Sequence, residues 1–310
     1  MPSISLASPQ TAPERVLIYF ICGNPGVISY YNSFFTLLRG LIDKSQTSSA
    51  KTSYDLYGRS LLGFDDDDHK PFSKQNLPYD LDGQIEGLSA DIANQKKDGQ
   101  PYDKVILMGH SVGAYLSVEI MHRFQQDPSK APQLNLQHGF LLFPTLTSIA
   151  LSPQGKKAVW AFYVPFLEGN AHTLAQWLLS CVSKGTLTWL VKKVTGFEDE
   201  GVETTVDWLK SRDGVWQALH LAASEMRTIC EEKWTDELWE CSDGSKIPKF
   251  FIFYGKNDHW VANEIRDAFI EKRGKQASIS VDEGNLPHAF CTHECKSSQR
   301  IEVNIKVHEH

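Results

Sequence analysis

"KVILMGHSVGAYLSVEIMHRFQQ", residues 104–126, changes character once, at a five-residue joint. Its first part, "KVILM", is a short continuous apolar run, the signature of a strand buried on both faces. Its last part, "GAYLSVEIMHRFQQ", reads as a helix. The joint between them, "GHSVG" (Gly109–Gly113), fits G-x-S-x-G. A strand before and a helix after is the context that makes this pattern a nucleophile elbow. The turn strains the serine backbone and lifts its hydroxyl clear of the sheet. Strand and helix can approach only if the flanking residues are small, which Gly109 and Gly113 satisfy. The helix N-terminus then aims backbone N–H groups at any negative charge that develops there. The bland reading is an ordinary strand–helix turn, and the rest of the chain has to decide against it.

Working outward, strand and helix signals alternate. "RVLIYFICG" and "HGFLLFPTL" read as buried strands and "SYDLYGRSLLGF" as a weaker one. "YYNSFFTLLRGLIDK" has Phe34, Leu37, Leu38 and Leu41 at helical spacing, and "DLDGQIEGLSADIANQKK" has Leu81, Ile85, Leu88 and Ile92. After Leu146 about a hundred residues follow without a good buried strand; they hold Trp160, Trp177, Trp189, Trp208, Trp216, Trp234 and Trp239. "IPKFFIFYG" resumes the strand pattern, "NEIRDAFIEKRG" is a helix, "ASISVDEG" a strand and "SSQRIEVNIKVHEH" a closing helix. The expectation is an α/β core from residues 1–146 and 247–310, with a mostly parallel sheet and helices on both faces, split by a helical cap insertion over 147–246.

Composition narrows the class. A chain of 310 residues with 41% apolar residues can build one large core. The net charge of −7 and the lack of a long basic block argue against nucleic acid as a partner. The first fifteen residues lack the charged and apolar regions of a secretory signal. Six scattered cysteines fit reduced thiols in the cytosol. No window is apolar enough to span a membrane; the nearest, Ala171–Val191, is broken by His172, Lys184 and Gly185, which leaves a surface-lying segment open. "DDDDH", Asp65–His69, reads as a solvated loop, since adjacent carboxylates cannot all face one ion.

A serine hydroxyl needs a base at neutral pH. In an elbow protein the base comes last, after the final strand, and "EGNLPHAF" puts His288 there. His110 adjoins the serine but sits in the elbow, wrongly placed for in-line transfer, and His293, His308 and His310 fall beyond the strand exit. Cys291 and Cys295 supply only half of a zinc pattern, so neither a metal nor any other cofactor is expected. The acid that orients the base should follow the strand after the insertion, where "FFIFYGKNDHWV" offers Asp258; Asp282 and Glu283 are rivals on the last strand. The order Ser111, Asp258, His288 is that of α/β-hydrolases. Such a site also needs two backbone donors for the oxyanion. One is Val112, after the nucleophile; the other should lie on the loop after an early strand, where "CGNPG" offers Asn24, because Pro25 has no N–H. A phosphate cradle would need G-x-G-x-x-G or a Lys-Ser/Thr pair, which this loop lacks. A structural turn remains the alternative. Asp in place of Ser111 would have pointed to a dehalogenase or epoxide hydrolase.

"GNPG" followed by "YY", then "GHSVGAY", "YGKNDHWV" and "LPHAF", in that order from Val16 to Phe290, resembles the lipid-droplet-associated hydrolase family of the α/β-hydrolase superfamily. The resemblance implies a serine hydrolase with Ser111, Asp258 and His288 as triad, a lipid ester substrate such as a sterol ester or acylglycerol, and the lipid-droplet surface or cytoplasm as location, with the endoplasmic reticulum as an associated membrane. Cys22 departs from the family's proline before "GNPG". The rival function is a droplet-surface protein that keeps the fold with little turnover. Within the insertion, Leu174, Trp177, Leu178, Cys181 and Val182 form one apolar stripe, and Leu187, Leu190, Val191 and Val194 another. They either pack on the core or face lipid; Trp177, Leu178, Trp189 and Leu190 are the lipid-facing candidates. "YVPFLEG" suits a hinge into the insertion.

Overall fold

Residues 2–46, 50–162, 171–240, 247, 249–284 and 286–292 are described in a computed structural model of the chain. Seven strands build one sheet: β1 (Ser3–Leu6), β2 (Glu14–Ile21), β3 (Thr52–Arg59), β4 (Lys104–His110), β5 (Leu136–Leu142), β6 (Phe250–Gly255) and β7 (Ser278–Asp282). Their order is β1-β3-β2-β4-β5-β6-β7, and all neighbours are parallel except β1 and β3. Val16 to Ile21 of β2 are buried without a break, as a strand sandwiched between helix layers must be. The sequence gives no sign of β1, because its four residues alternate between exposed and half-buried on an edge.

Four helices flank the sheet: α1 (Asn32–Ser45), α2 (Leu81–Asn94), α3 (Val112–Gln126) and, late in the chain, α10 (Asn263–Arg273). In α2 the expected stripe of Leu81, Ile85, Leu88 and Ile92 is buried. In α1 the buried face is Phe34, Phe35 and Leu38, while Leu37 and Leu41 stay half-buried. The aromatic Phe35, which packs edge-on against Phe20, turns the helix toward itself. Between β5 and β6 lie α4 (Pro153–Phe162), α5 (Ala171–Ser180), α6 (Lys184–Thr195), α7 (Asp199–Lys210), α8 (Gly214–Thr228) and the short α9 (Asp236–Trp239), with no strand among the described residues there. Leu187 and Val191 of α6 close a small cluster of their own with Val202 and Val206 of α7. Trp239, fully buried, instead packs on Phe250 of β6 and Phe269 of α10. The expected hinge at 163–169, the closing helix at 297–310, and His293, Cys295, His308 and His310 fall outside the described residues.

The Asp65–His69 run is not a solvated loop. Asp68 pairs with the buried Arg59 at 3.5 Å, and the His69 ring is stacked on Phe72. Asp66 accepts hydrogen bonds from the backbone N–H groups of Arg212 and Asp213 and so ties this loop to the start of α8. Asp66, His69 and Asp213 lie within 4.8 Å of one another, but the Arg212 guanidinium already donates to Asp213 and supplies the positive charge.

Candidate active site

Parallel strands put their carboxyl ends on one rim, and the sequence-predicted site residues follow those ends. The 22–26 loop leaves β2, Ser111 leaves β4, Asp258 follows β6 and His288 follows β7. Ser111 adopts φ 56°, ψ −122°, a conformation rarely open to a non-glycine residue. Its N–H is held by the Leu142 carbonyl at 3.0 Å. The elbow closes only because its flanks lack side chains: a Cβ on Gly113 would stand 2.2 Å from the Ile21 carbonyl oxygen, and one on Gly109 would stand 2.3 Å from that of Gly113. Both obstacles are backbone and cannot swing away.

Three side chains form one line. His288 Nε2 lies 2.9 Å from Ser111 Oγ, and His288 Nδ1 lies 2.7 Å from Asp258 Oδ2. With Nδ1–H donating to the carboxylate, Nε2 is left to accept the serine proton. Asp258 is 7% exposed, and its other oxygen, Oδ1, accepts the Trp260 N–H at 2.8 Å. The rivals are placed elsewhere: Asp282 Oδ2 accepts from Leu286 N–H in its own loop, and Glu283 is exposed.

The loop after β2 abuts the nucleophile, since a Cβ on Gly23 would come within 3.1 Å of Ser111 Cβ. The Asn24–Pro25 peptide is cis. Neither the Asn24 N–H nor the Val112 N–H has a hydrogen-bond partner among the described residues. Free backbone N–H groups beside a serine are the kind of donor that a developing oxyanion needs. Cys22 lies beneath this loop, fully buried, its Sγ donating to the Arg59 carbonyl at 3.4 Å.

Three participants were not singled out by the sequence in the roles they hold. Tyr31 Oη accepts the Gly23 N–H at 3.1 Å and so turns its own hydrogen toward His110 Nδ1, 2.7 Å away. His110 Nε2–H then donates to the His288 carbonyl at 2.9 Å. This chain fixes one neutral tautomer of His110, and burial lowers its pKa well below the ordinary histidine value. His110 is thus a brace for the loop that carries His288. The signals were the His within "GHSVG" and the second Tyr of "YY". The third is Glu225 of α8, which lines the same cavity of about 350 Å³ as Ser111, Asn24, His288, Trp208 and Met226.

Burial pushes the Glu225 carboxyl from 4.5 up to about 7, against the opposing hydrogen bond from Asn24. The folded state therefore binds more protons than the unfolded chain between those values, and stability falls as pH rises through that window. At about 1.4 kcal/mol per unit the full loss is about 3 kcal/mol above pH 7. Glu225→Gln cannot ionise, so denaturation curves should show its stability gain over the parent near zero at pH 4 and growing to about 3 kcal/mol at pH 8. A gain independent of pH would contradict the raised carboxyl.

Residues 14–291 match the family described as lipid-droplet associated hydrolase. The chain is similar to the lipid droplet-associated hydrolases of Gallus gallus (28% identical, covering 89% of this chain and 80% of the relative) and Homo sapiens (27%, covering 90% and 81%). That of Dictyostelium discoideum is 25% identical over 96% of this chain and 88% of its own. Among solved structures, a laboratory-evolved variant of potato epoxide hydrolase superposes with a TM-score of 0.57 at 12% identity, covering 99% of this chain and 94% of that one. A peroxisomal α/β-hydrolase of Saccharomyces cerevisiae gives 0.57 at 11%, covering 99% and 88%. These last two likenesses establish the α/β-hydrolase fold, which the sheet order and the elbow require independently. With the match running through nearly the whole described core, the chain belongs to the lipid-droplet associated hydrolase family.

Proposed function

We propose that the protein is a serine hydrolase that cleaves carboxylic ester bonds of a lipid through an acyl-enzyme. The observation that carries this reading is the unbroken Ser111–His288–Asp258 line beside two N–H groups with no partner among the described residues. In this mechanism Ser111 Oγ attacks the ester carbonyl while His288 Nε2 takes its proton, and Asp258 stabilises the imidazolium. The Asn24 and Val112 N–H groups receive the oxyanion. His288 then protonates the leaving alcohol, and water repeats the cycle on the acyl-enzyme. A fluorophosphonate probe should therefore form a covalent adduct that peptide mass spectrometry maps to Ser111. An unmodified Ser111 after prolonged exposure of folded protein would refute the reading.

The lipid part of the proposal rests on the cavity wall and on the α5–α6 surface. Trp208, Met226, Ile149 and Phe197 make the cavity largely apolar. The helices between β5 and β6 act in this reading as a cap. Leu174, Trp177 and Leu178 of α5 and Trp189, Leu190 and Val194 of α6 are exposed, Trp177 by 62% and Trp189 by 58%. Lys193 Nζ sits 5.0 Å above the Trp189 ring, a cation at the rim of an apolar face. No helix among the described residues is long and apolar enough to cross a membrane, so attachment by this face would be interfacial. Burying about 100 Å² of each indole at about 25 cal/mol/Å² supplies about 2.5 kcal/mol, or close to 70-fold in partitioning. The Trp177→Asp/Trp189→Asp protein should accordingly lose at least about tenfold in flotation with phospholipid-coated triolein droplets. Undiminished flotation would remove this face as the anchor.

A further inference from the structure

Asn24, the expected oxyanion donor, is gripped through its side chain by a helix from outside the sheet. Its Nδ2 donates to the Ala218 carbonyl oxygen at 3.1 Å and to Glu225 Oε1 at 3.0 Å. The two acceptors are seven residues apart, two turns of α8 on one face. Glu225 is 5% exposed and has no cation or second hydrogen-bond donor among the described residues. A buried acid without a cation is a costly residue to place at the wall of an apolar cavity. The Ser111–His288–Asp258 line makes no use of it.

We propose that Glu225 is a positioning residue: by holding the Asn24 side chain it fixes the Asn24 peptide against Ser111, so that the cap helix α8 completes the oxyanion site. This rests on the serine hydrolase reading given above for its catalytic consequence, but the grip itself is a property of the fold. Removing the Glu225 acceptor leaves Asn24 a single hydrogen bond to α8 and frees its amide to turn. The N–H then spends part of its time away from the oxyanion, which lowers transition-state binding without changing contacts to the acyl chain. Burial raises the carboxyl toward neutrality, and Gln reproduces its acceptor oxygen at the same reach without a charge.

The test compares full-length parent, Glu225→Ala and Glu225→Gln by two readouts. The first is hydrogen–deuterium exchange of the peptide spanning Gly23–Ile28, which needs no turnover. The second is hydrolysis of p-nitrophenyl butyrate, with kcat and KM determined separately. Glu225→Ala should exchange faster in that peptide, with α3 unchanged, and should lose about tenfold in kcat with KM within about twofold, a fraction of the loss typical of deleting an oxyanion donor. Glu225→Gln should restore both. Unchanged exchange in Glu225→Ala overturns the grip whatever the activity. Faster exchange with parental kcat overturns the catalytic role, as does a Gln variant as impaired as Ala. A parent that exchanges as expected yet shows no Ser111-dependent turnover refutes the hydrolase reading instead and leaves the grip standing.

Discussion

Ser111→Ala is expected to lower kcat for p-nitrophenyl butyrate by about a millionfold, to the background of the assay. Three elements of the site act on one oxygen. The strained elbow presents Oγ, His288 Nε2 lies 2.9 Å from it, and the loop that carries the proposed oxyanion donor Asn24 abuts the same residue. Without Oγ the remaining groups can only bind and polarise the ester, which typically leaves roughly 10³–10⁴-fold over water. The same substitution should abolish the fluorophosphonate adduct while the folded state persists, because among the described residues Ser111 Oγ is bonded only to His288. Loss of less than about tenfold would mean that ester cleavage runs through another residue, and the mechanism proposed for this family member would fall.

Asp258→Asn tests the geometry more sharply, because it replaces a single oxygen. Oδ1 of residue 258 is committed to the Trp260 N–H. An asparagine keeps its oxygen there and so turns its NH2 toward His288 Nδ1. That nitrogen must then accept, which moves the ring proton to Nε2, the atom that should receive the serine proton. Fold and burial are preserved while the base holds the wrong tautomer. A fall of about 10⁴-fold in kcat is the expected result, with the thermal midpoint little changed. A fall under about tenfold would show that Asp258 does not set the tautomer. Asp282 is no substitute, since its carboxylate serves the Leu286 N–H.

How far the sequence carries toward this site differs from residue to residue. Ser111 is legible because the elbow needs a local pattern, glycines at two fixed positions between a strand and a helix. The loop at Asn24 is legible because its place after β2 follows from strand order. Partners that meet across the fold are not: Glu225 is 201 positions from Asn24, and nothing in the periodicity of α8 distinguishes it from a surface acid. His110 was set aside as a base for a correct reason, yet its role as a brace depends on Tyr31, which reaches it from 79 positions away. The Asp65–His69 run misleads because composition describes a loop's solvent exposure only until a buried arginine such as Arg59 answers it. The second apolar stripe divides for a similar reason, since Leu187 and Val191 pack on Val202 and Val206 while Val194 stays 81% exposed.

The way α8 is fastened bears on how a substrate reaches Ser111. Besides the two bonds from Asn24, Gln217 exchanges hydrogen bonds with both the N–H and the carbonyl of Tyr79, and Ser224 Oγ accepts the Leu81 N–H. Lifting this helix off the core would break five hydrogen bonds at once. At about 1 kcal/mol each the cost is about 5 kcal/mol, which leaves fewer than about one molecule in a thousand open at any instant. Traffic by that route would throttle turnover. On the side that α8 covers, the ceiling over the serine is therefore a fixed wall.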